Sequence, residues 1–240
     1  MKTRQLYLED TYQQEMDATV LEVQLEGEGR WRLVLDQTVF YPMGGGQPTD
    51  QGKLTINGAE VEVYMVMNKD GEIWHYINSP TPLEINSQVH GVIDWERRYW
   101  NMKVHSAGHI VDFTVYQLGY SPVPLHPMKA DHGKKPFIVY SGTLDRDIKE
   151  ELQQKTNELV QQDLPLTAQF VPLDVLEKEA IYLQPGLPTN KPLRMLKLES
   201  VGAVADGGTQ VNTTKEVGQI NIDQTSQEEG NTIVYYSLIK

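Results

Sequence analysis

The spacing of apolar residues changes at Asp94, and that break constrains the fold more than any other feature of the chain. Before it lie short runs in which apolar and polar residues alternate: residues 20–25, 30–36, 52–56, 60–67, 72–77 and 88–94. Period-two runs bounded by glycine and asparagine are half-buried strands. Gly27-Glu-Gly29 and Asn57-Gly58 separate successive runs. Asn-Gly tolerates positive φ at both positions and closes a two-residue hairpin. Residues 79–82, Ser-Pro-Thr-Pro, read as a loop. Six short strands with tight turns predict a small barrel or sandwich. After the break, residues 95–118 contain no proline, only Gly108 as an interior breaker, and Gly119 where a helix C-cap belongs. Trp95, Tyr99, Met102, Val104, Ile110, Phe113 and Val115 are too many apolar groups for a helix with one wet face, so it is buried on most sides.

The remainder mixes both element types. Residues 121–127 form a proline-rich loop, 137–140 a strand, and 145–164 an amphipathic helix stopped by Pro165. A strand over 167–171 and a short helix over 174–182 follow. Strands over 193–198, 216–222 and 232–238 complete the chain. The expected fold class is α+β, with a β-barrel domain over residues 1–94 and an α+β domain with antiparallel sheet over residues 95–240.

Composition removes several chemistries. The 240 residues include no cysteine, which excludes disulfides, thiolate metal sites and cysteine nucleophiles. No apolar run approaches the roughly 18 residues that cross a bilayer, so no membrane partner is expected. Met1-Lys-Thr-Arg-Gln-Leu6 leads into polar and acidic residues, and the expectation is a cytoplasmic protein without a secretory signal. The net charge of −12 argues weakly against nucleic acid. Yet residues 97–135 carry six basic side chains (Arg97, Arg98, Lys103, Lys129, Lys134, Lys135) against Asp112 and Asp131, a local net of +4.

Three clusters carry candidate chemistry. His105 and His109 are spaced i, i+4, which sets both rings on one helix face in a geometry for metal. The alternative is a pair of core histidines. Ser106 follows His105, so the zinc-protease motif with its general-base glutamate is absent. Gly44, Gly45 and Gly46 precede Gln47 without the lysine of a phosphate loop, and on physical grounds alone a tight turn at a barrel rim is the favoured reading. Asp206-Gly-Gly-Thr-Gln210 offers two side-chain oxygens, or a glycine turn with an Asx-type hydrogen bond.

Together, four blocks in order resemble the alanyl-tRNA editing proteins of medium length (AlaX type), the free-standing relatives of the alanyl-tRNA synthetase editing domain. They are Phe40-Tyr-Pro-Met-Gly-Gly-Gly-Gln-Pro-Thr-Asp-Gln-Gly52; Asn101-Met-Lys-Val-His-Ser-Ala-Gly-His109; Pro127-Met-Lys-Ala-Asp-His132 with Tyr140-Ser-Gly142; and Asp206-Gly-Gly-Thr-Gln-Val-Asn-Thr-Thr-Lys-Glu-Val-Gly218. The resemblance implies a barrel joined to an editing domain. It implies a metal-dependent aminoacyl-tRNA deacylase that hydrolyses the ester between serine or glycine and alanine tRNA, with one zinc ion per chain. His105 and His109 would be the first two ligands. The family's other two, a cysteine and a histidine, fall on Asp206 and Gln210. Aspartate is a competent zinc ligand and glutamine a weak one. Zinc in a His, His, Asp site with Gln210 adjacent is favoured, because three ligands and an open position make the catalytic arrangement. A harder divalent metal, or a degraded site in a tRNA-binding or regulatory module without activity, are the alternatives. A hydrolase of small aminoacyl esters is a third reading, and the chain is too short for a full synthetase. By matched position, the catalytic group is His105, His109 and Gln47. Gly44, Gly45, Gly46, Thr209 and His132 are assigned to the substrate, and Lys103, Lys129, Lys134 and Lys135 to tRNA phosphates.

Overall fold

The computed structural model describes residues 3–69, 71–80 and 83–239. The chain divides into two compact units, one ending at Asn101 and one beginning at Met102. The division falls inside a helix that starts just after Asp94, where the sequence pattern changes.

The first unit contains β1 (Arg4–Gln5), α1 (Leu6–Glu9), β2 (Glu15–Gly27), β3 (Arg30–Leu35), β4 (Gln37–Thr38), β5 (Gly52–Ile56), β6 (Ala59–Lys69), β7 (Glu72–Asn78) and β8 (Gln88–Ile93). Six of these strands close into a barrel in the order β2-β3-β7-β6-β5-β8, every neighbouring pair antiparallel. Alternate residues face inward, as in β8, where Val89, Gly91 and Ile93 are buried and their neighbours exposed. The interior is filled by Val20, Leu33, Leu35, Phe40, Leu54, Val63, Val66, Ile73 and Ile77, each fully buried. Asn57 and Gly58 take φ of 52° and 80° between β5 and β6, the hairpin expected from Asn-Gly. Ser79 and Pro80 follow β7 outside any strand, and Thr81 and Pro82 lie outside the described residues.

Polar groups are also buried in this unit, among them a histidine. His75 is fully buried, with Nε2 2.8 Å from Thr38 Oγ1 and Nδ1 3.3 Å from the Leu33 carbonyl. Burial lowers its pKa to about 4, against the backbone hydrogen bond that favours the cation. The unfolded chain therefore binds the proton between the ordinary histidine pKa near 6.5 and about 4. Stability from this residue is complete above that window and is lost as pH falls through it, by about 3 kcal/mol in all. Denaturant unfolding at pH 7 and pH 4.5 is expected to show a smaller pH dependence in His75→Leu than in the wild type. An equal dependence would remove His75 from the acid response.

The second unit takes in most of α2 (Trp95–Gln117), then β9 (His126–Asp131), β10 (Phe137–Ser141), α3 (Lys149–Gln161), β11 (Leu166–Val171), α4 (Leu173–Glu179), β12 (Leu193–Leu198), β13 (Gly202–Ala205), α5 (Thr214–Val217), β14 (Ile220–Glu228) and β15 (Asn231–Leu238). Two antiparallel sheets result, β14-β15-β10-β9 and β11-β12-β13. The α+β class expected from the sequence is thus present.

Local chemistry sets the ends of α2. The Asp94 carboxylate accepts from Arg97 N at 3.0 Å and caps the first turn. At the other end Gly119 takes φ of 78°, and Tyr120 N reaches the Val115 carbonyl at 3.1 Å, closing the helix in a Schellman-type turn.

Three sequence expectations are corrected. Residues 216–222 do not form one strand, because Thr213 and Glu216 make a capping box that starts α5, and β14 begins only at Ile220. The helix expected from residue 145 begins at Lys149, because the Asp147 carboxylate accepts from Lys149 N at 2.9 Å and from Thr225 Oγ1 at 2.6 Å, which holds the preceding residues in a turn. The proline-rich loop ends before His126, where β9 pairs with β10.

Candidate metal centre

Helix α2 carries His105 and His109 on consecutive turns, and their rings stack with centroids 4.9 Å apart. The loop after β13 carries Asp206. Its N–H extends the β12–β13 ladder by donating to the Arg194 carbonyl at 3.0 Å. This brings Asp206 Oδ1 to 3.4 Å from His105 Nε2 and 3.5 Å from His109 Nε2. Two imidazole nitrogens and a carboxylate oxygen lie within 4.8 Å of one another, a group with the geometry to hold a metal ion.

The other side of the carboxylate is tied to protein. Asp206 Oδ2 accepts from Gly208 N at 3.1 Å and from Gln210 Nε2 at 2.9 Å. Arg194 Nη1 stands 3.5 Å away and donates to the Gly208 carbonyl at 2.7 Å. The Asx-type turn expected of Asp206-Gly-Gly is therefore present, and it coexists with the approach to the histidines.

Protonation states suit a cation. Burial lowers the His105 pKa to about 4, outweighing the nearby Asp206 carboxylate, so its ring is neutral at pH 7. Burial alone would raise Asp206, but His105, His109 and the Arg194 guanidinium bring its carboxyl well below the usual range. Metal ligands must be deprotonated in this way. His109 Nε2 is buried and makes no hydrogen bond among the described residues, and with its lone pair free of a proton it is an atom that a metal would satisfy. The donor set fits a divalent ion.

A third imidazole adjoins the pair. The His132 ring stacks on His105 at 4.3 Å. Its Nδ1 is 2.5 Å from the Tyr236 hydroxyl, whose own proton goes to the Val104 carbonyl at 3.1 Å. Nδ1 is therefore the donor, and Nε2 carries the lone pair. Gly108 makes this packing possible, since a Cβ there would lie 2.5 Å from His132 Cε1 and 2.6 Å from Tyr236 Oη. The interior glycine of α2 costs about 1 kcal/mol of helix propensity relative to alanine, and close ring packing is its counterpart.

A family model for tRNA synthetases class II (A) matches residues 5–97. The whole chain aligns with the alanyl-tRNA editing protein AlaX-M of Saccharolobus solfataricus, 32% identical over 98% of this chain and 99% of that protein. The chain belongs to the alanyl-tRNA editing family. AlaX-M of Methanosarcina barkeri is likewise 32% identical, over 99% of both chains. The alanine–tRNA ligase of Pyrococcus furiosus is 34% identical over 94% of this chain, which spans 24% of that larger protein.

In this editing-family chain the sequence-assigned residues fall into separate settings. His105, His109, Asp206, Gln210 and His132 come together in the second unit. Thr209, fully buried, sits in the same loop as Asp206. Gly44, Gly45, Gly46 and Gln47 belong to the first unit. There Gly45 and Gly46 take φ of 55° and 78°, and Gly44 and Gln47 bridge across a tight turn with Gln47 N 2.9 Å from the Gly44 carbonyl. Gln47 is fully buried. Of the six basic residues that suggested a positive surface, Arg98 is fully buried against Asp50 and Arg97 donates to the Thr49 carbonyl at 3.1 Å. Lys103 is half-buried beside Gly218. Only Lys129, Lys134 and Lys135 are exposed, on the sheet-edge strand β9 and the turn that follows it.

Sequence reasoning passed over three residues. Ser106 looked like a mere departure from a protease motif. Arg194, within an apolar run, gave no signal of its contact with Asp206. Asp112, one turn beyond His109, is buried and accepts from Tyr140 Oη at 3.1 Å and Tyr182 Oη at 2.9 Å. Burial pushes its carboxyl up despite these bonds and the nearby histidines. An aspartate on the histidine face of a buried helix was the available hint.

Proposed function

We propose that this chain is a trans-acting editing hydrolase that clears serine or glycine from mischarged alanine tRNA by metal-assisted hydrolysis of the ester. One observation carries the reading: His105, His109 and Asp206 converge within 4.8 Å in a chain whose full-length relatives are alanyl-tRNA editing proteins. The need is physical. A synthetic site shaped for alanine cannot exclude smaller glycine by sterics and rejects an added hydroxyl poorly, so a second hydrolytic site is required. The cytoplasm, where charged tRNA is used, is the setting on this reading.

His105 and His109 would supply imidazole nitrogens and Asp206 an anionic oxygen. A zinc or similar divalent ion held by them supplies Lewis-acid polarisation of the ester carbonyl and activation of water near neutral pH. Arg194 and Gln210 hold the carboxylate from behind. His132, with Nδ1–H committed to Tyr236, offers Nε2 as an acceptor to the hydroxyl or amine of the bound amino acid, and Thr209 is a neighbouring contact. Gln47, Gly44, Gly45 and Gly46 are candidates for the aminoacyl end within the first unit. The deciding measurement is ester loss from seryl- and glycyl-tRNA of alanine specificity, with and without chelator. Binding without ester loss would leave a tRNA-binding module.

Lys129, Lys134 and Lys135 are proposed to meet tRNA phosphates. Changing all three to alanine is expected to weaken tRNA binding and lower the log–log salt slope by about 1 per lost contact. An unaltered slope would remove these lysines from the interface.

A further inference from the structure

The geometry points to Gln210 as a positioning residue rather than a metal ligand: with Ser106 it clamps Asp206 so that a single carboxylate oxygen faces the two imidazoles. The inference rests on the metal reading above and concerns what this chain's own residues do toward the ion.

Gln210 is buried, and its polar atoms are engaged in a directed chain. Ser106 Oγ donates to Gln210 Oε1 at 2.6 Å, and Gln210 Nε2 donates to Asp206 Oδ2 at 2.9 Å. Ser106 Oγ in turn accepts from Val211 N at 3.1 Å, so its one proton is directed to the glutamine. The amide orientation follows. Turning it over would set Oε1 against Asp206 Oδ2, an oxygen that already accepts from Gly208 N at 3.1 Å. Using Oε1 as a ligand would break its bond to Ser106 and strip the carboxylate of a donor, both in a buried place where a lost hydrogen bond is costly.

The consequence is an asymmetric carboxylate. Oδ2 is occupied by Gly208 and Gln210, with Arg194 close behind. Oδ1 is left toward His105 and His109 at 3.4 and 3.5 Å. A cation held here would meet two nitrogens and one oxygen from these three side chains. Groups that orient a ligand commonly change metal affinity by 10–100-fold when removed.

Co2+ is the probe, because its visible absorption reports the inner coordination sphere. Wild type, Gln210→Leu, Ser106→Ala, the double variant and His105→Ala are titrated with Co2+ against a competing chelator. The expected result is a 10–100-fold loss of affinity in Gln210→Leu with the Co2+ band shape retained. Ser106→Ala should weaken affinity in the same direction, and the double variant should be no worse than Gln210→Leu, since serine acts through glutamine. A changed Co2+ spectrum in Gln210→Leu, or a Ser106→Ala variant with wild-type affinity, overturns the proposal while leaving the metal site intact. Wild type without Co2+ uptake, or His105→Ala binding as wild type does, overturns the metal reading and the proposal with it.

Discussion

Exchange of Asp206 for asparagine is expected to cut single-turnover hydrolysis of mischarged alanine tRNA by about a thousandfold and to release the metal. Asparagine keeps the volume and removes the only anionic donor of the three. The loss expected when Lewis-acid stabilisation goes is several kcal/mol, and about 4 kcal/mol corresponds to a thousandfold in rate. The two remaining imidazoles, stacked 4.9 Å apart, hold a divalent ion poorly by themselves. Chelator treatment of the wild type should reproduce the defect, and added Zn2+ should reverse it there and not in Asp206→Asn. Asp206→Cys offers a thiolate at the same place and is expected to restore zinc binding. The measurement is ester loss under excess enzyme, paired with metal content of the same samples. Full activity in Asp206→Asn, or in metal-free wild type, would move the chemistry away from this cluster.

What the sequence disclosed follows the range of the forces involved. The Asn57-Gly58 hairpin, the Gly119 cap and the alternation of β8 depend on residues a few positions apart, and each appears where expected. Errors arose where a short-range bond competed with apolar pattern. Thr213 and Glu216 cap a helical turn inside a stretch that otherwise reads as strand. At the site, the i, i+4 histidines were visible from spacing, but only the family resemblance joined Asp206 to them. Nothing local announces the bond between Ser106 and Gln210, 104 positions apart, or the role of Arg194, because pairs across such distances are set by which strand lies beside which. The count of basic residues misjudged Arg98 for the same reason. Counting charges over residues 97–135 could not reveal that Arg98 turns inward to a partner 48 positions earlier.

That inward turn predicts the largest stability effect in the chain: Arg98→Met is expected to destabilise the protein by about 3–5 kcal/mol, the usual result of leaving one buried charge without its partner. Both Arg98 and Asp50 side chains are 0% exposed. Arg98 Nε donates to Asp50 Oδ1 at 3.0 Å and Oδ2 at 2.8 Å, and Nη2 bonds Oδ2 as well. The remaining guanidinium donors reach the Val39 carbonyl at 2.5 Å and the Thr11 carbonyl at 3.1 Å. Asp50 Oδ2 also accepts from Tyr41 N at 2.7 Å. The pair thus ties the start of α2 to both ends of the glycine-rich segment, Tyr41 before it and Asp50 after it. Burial raises the Asp50 carboxyl even against the opposing pull of Arg98, so removing the guanidinium leaves a carboxylate with little reason to stay ionised. The single variant should lose the full amount in denaturant unfolding. Arg98→Met combined with Asp50→Leu should recover much of it, since an apolar pair of similar volume avoids the desolvation of two charges. Equal losses in the single and double variants would show that the backbone bonds of Arg98, and not its pairing with Asp50, hold this corner of the barrel.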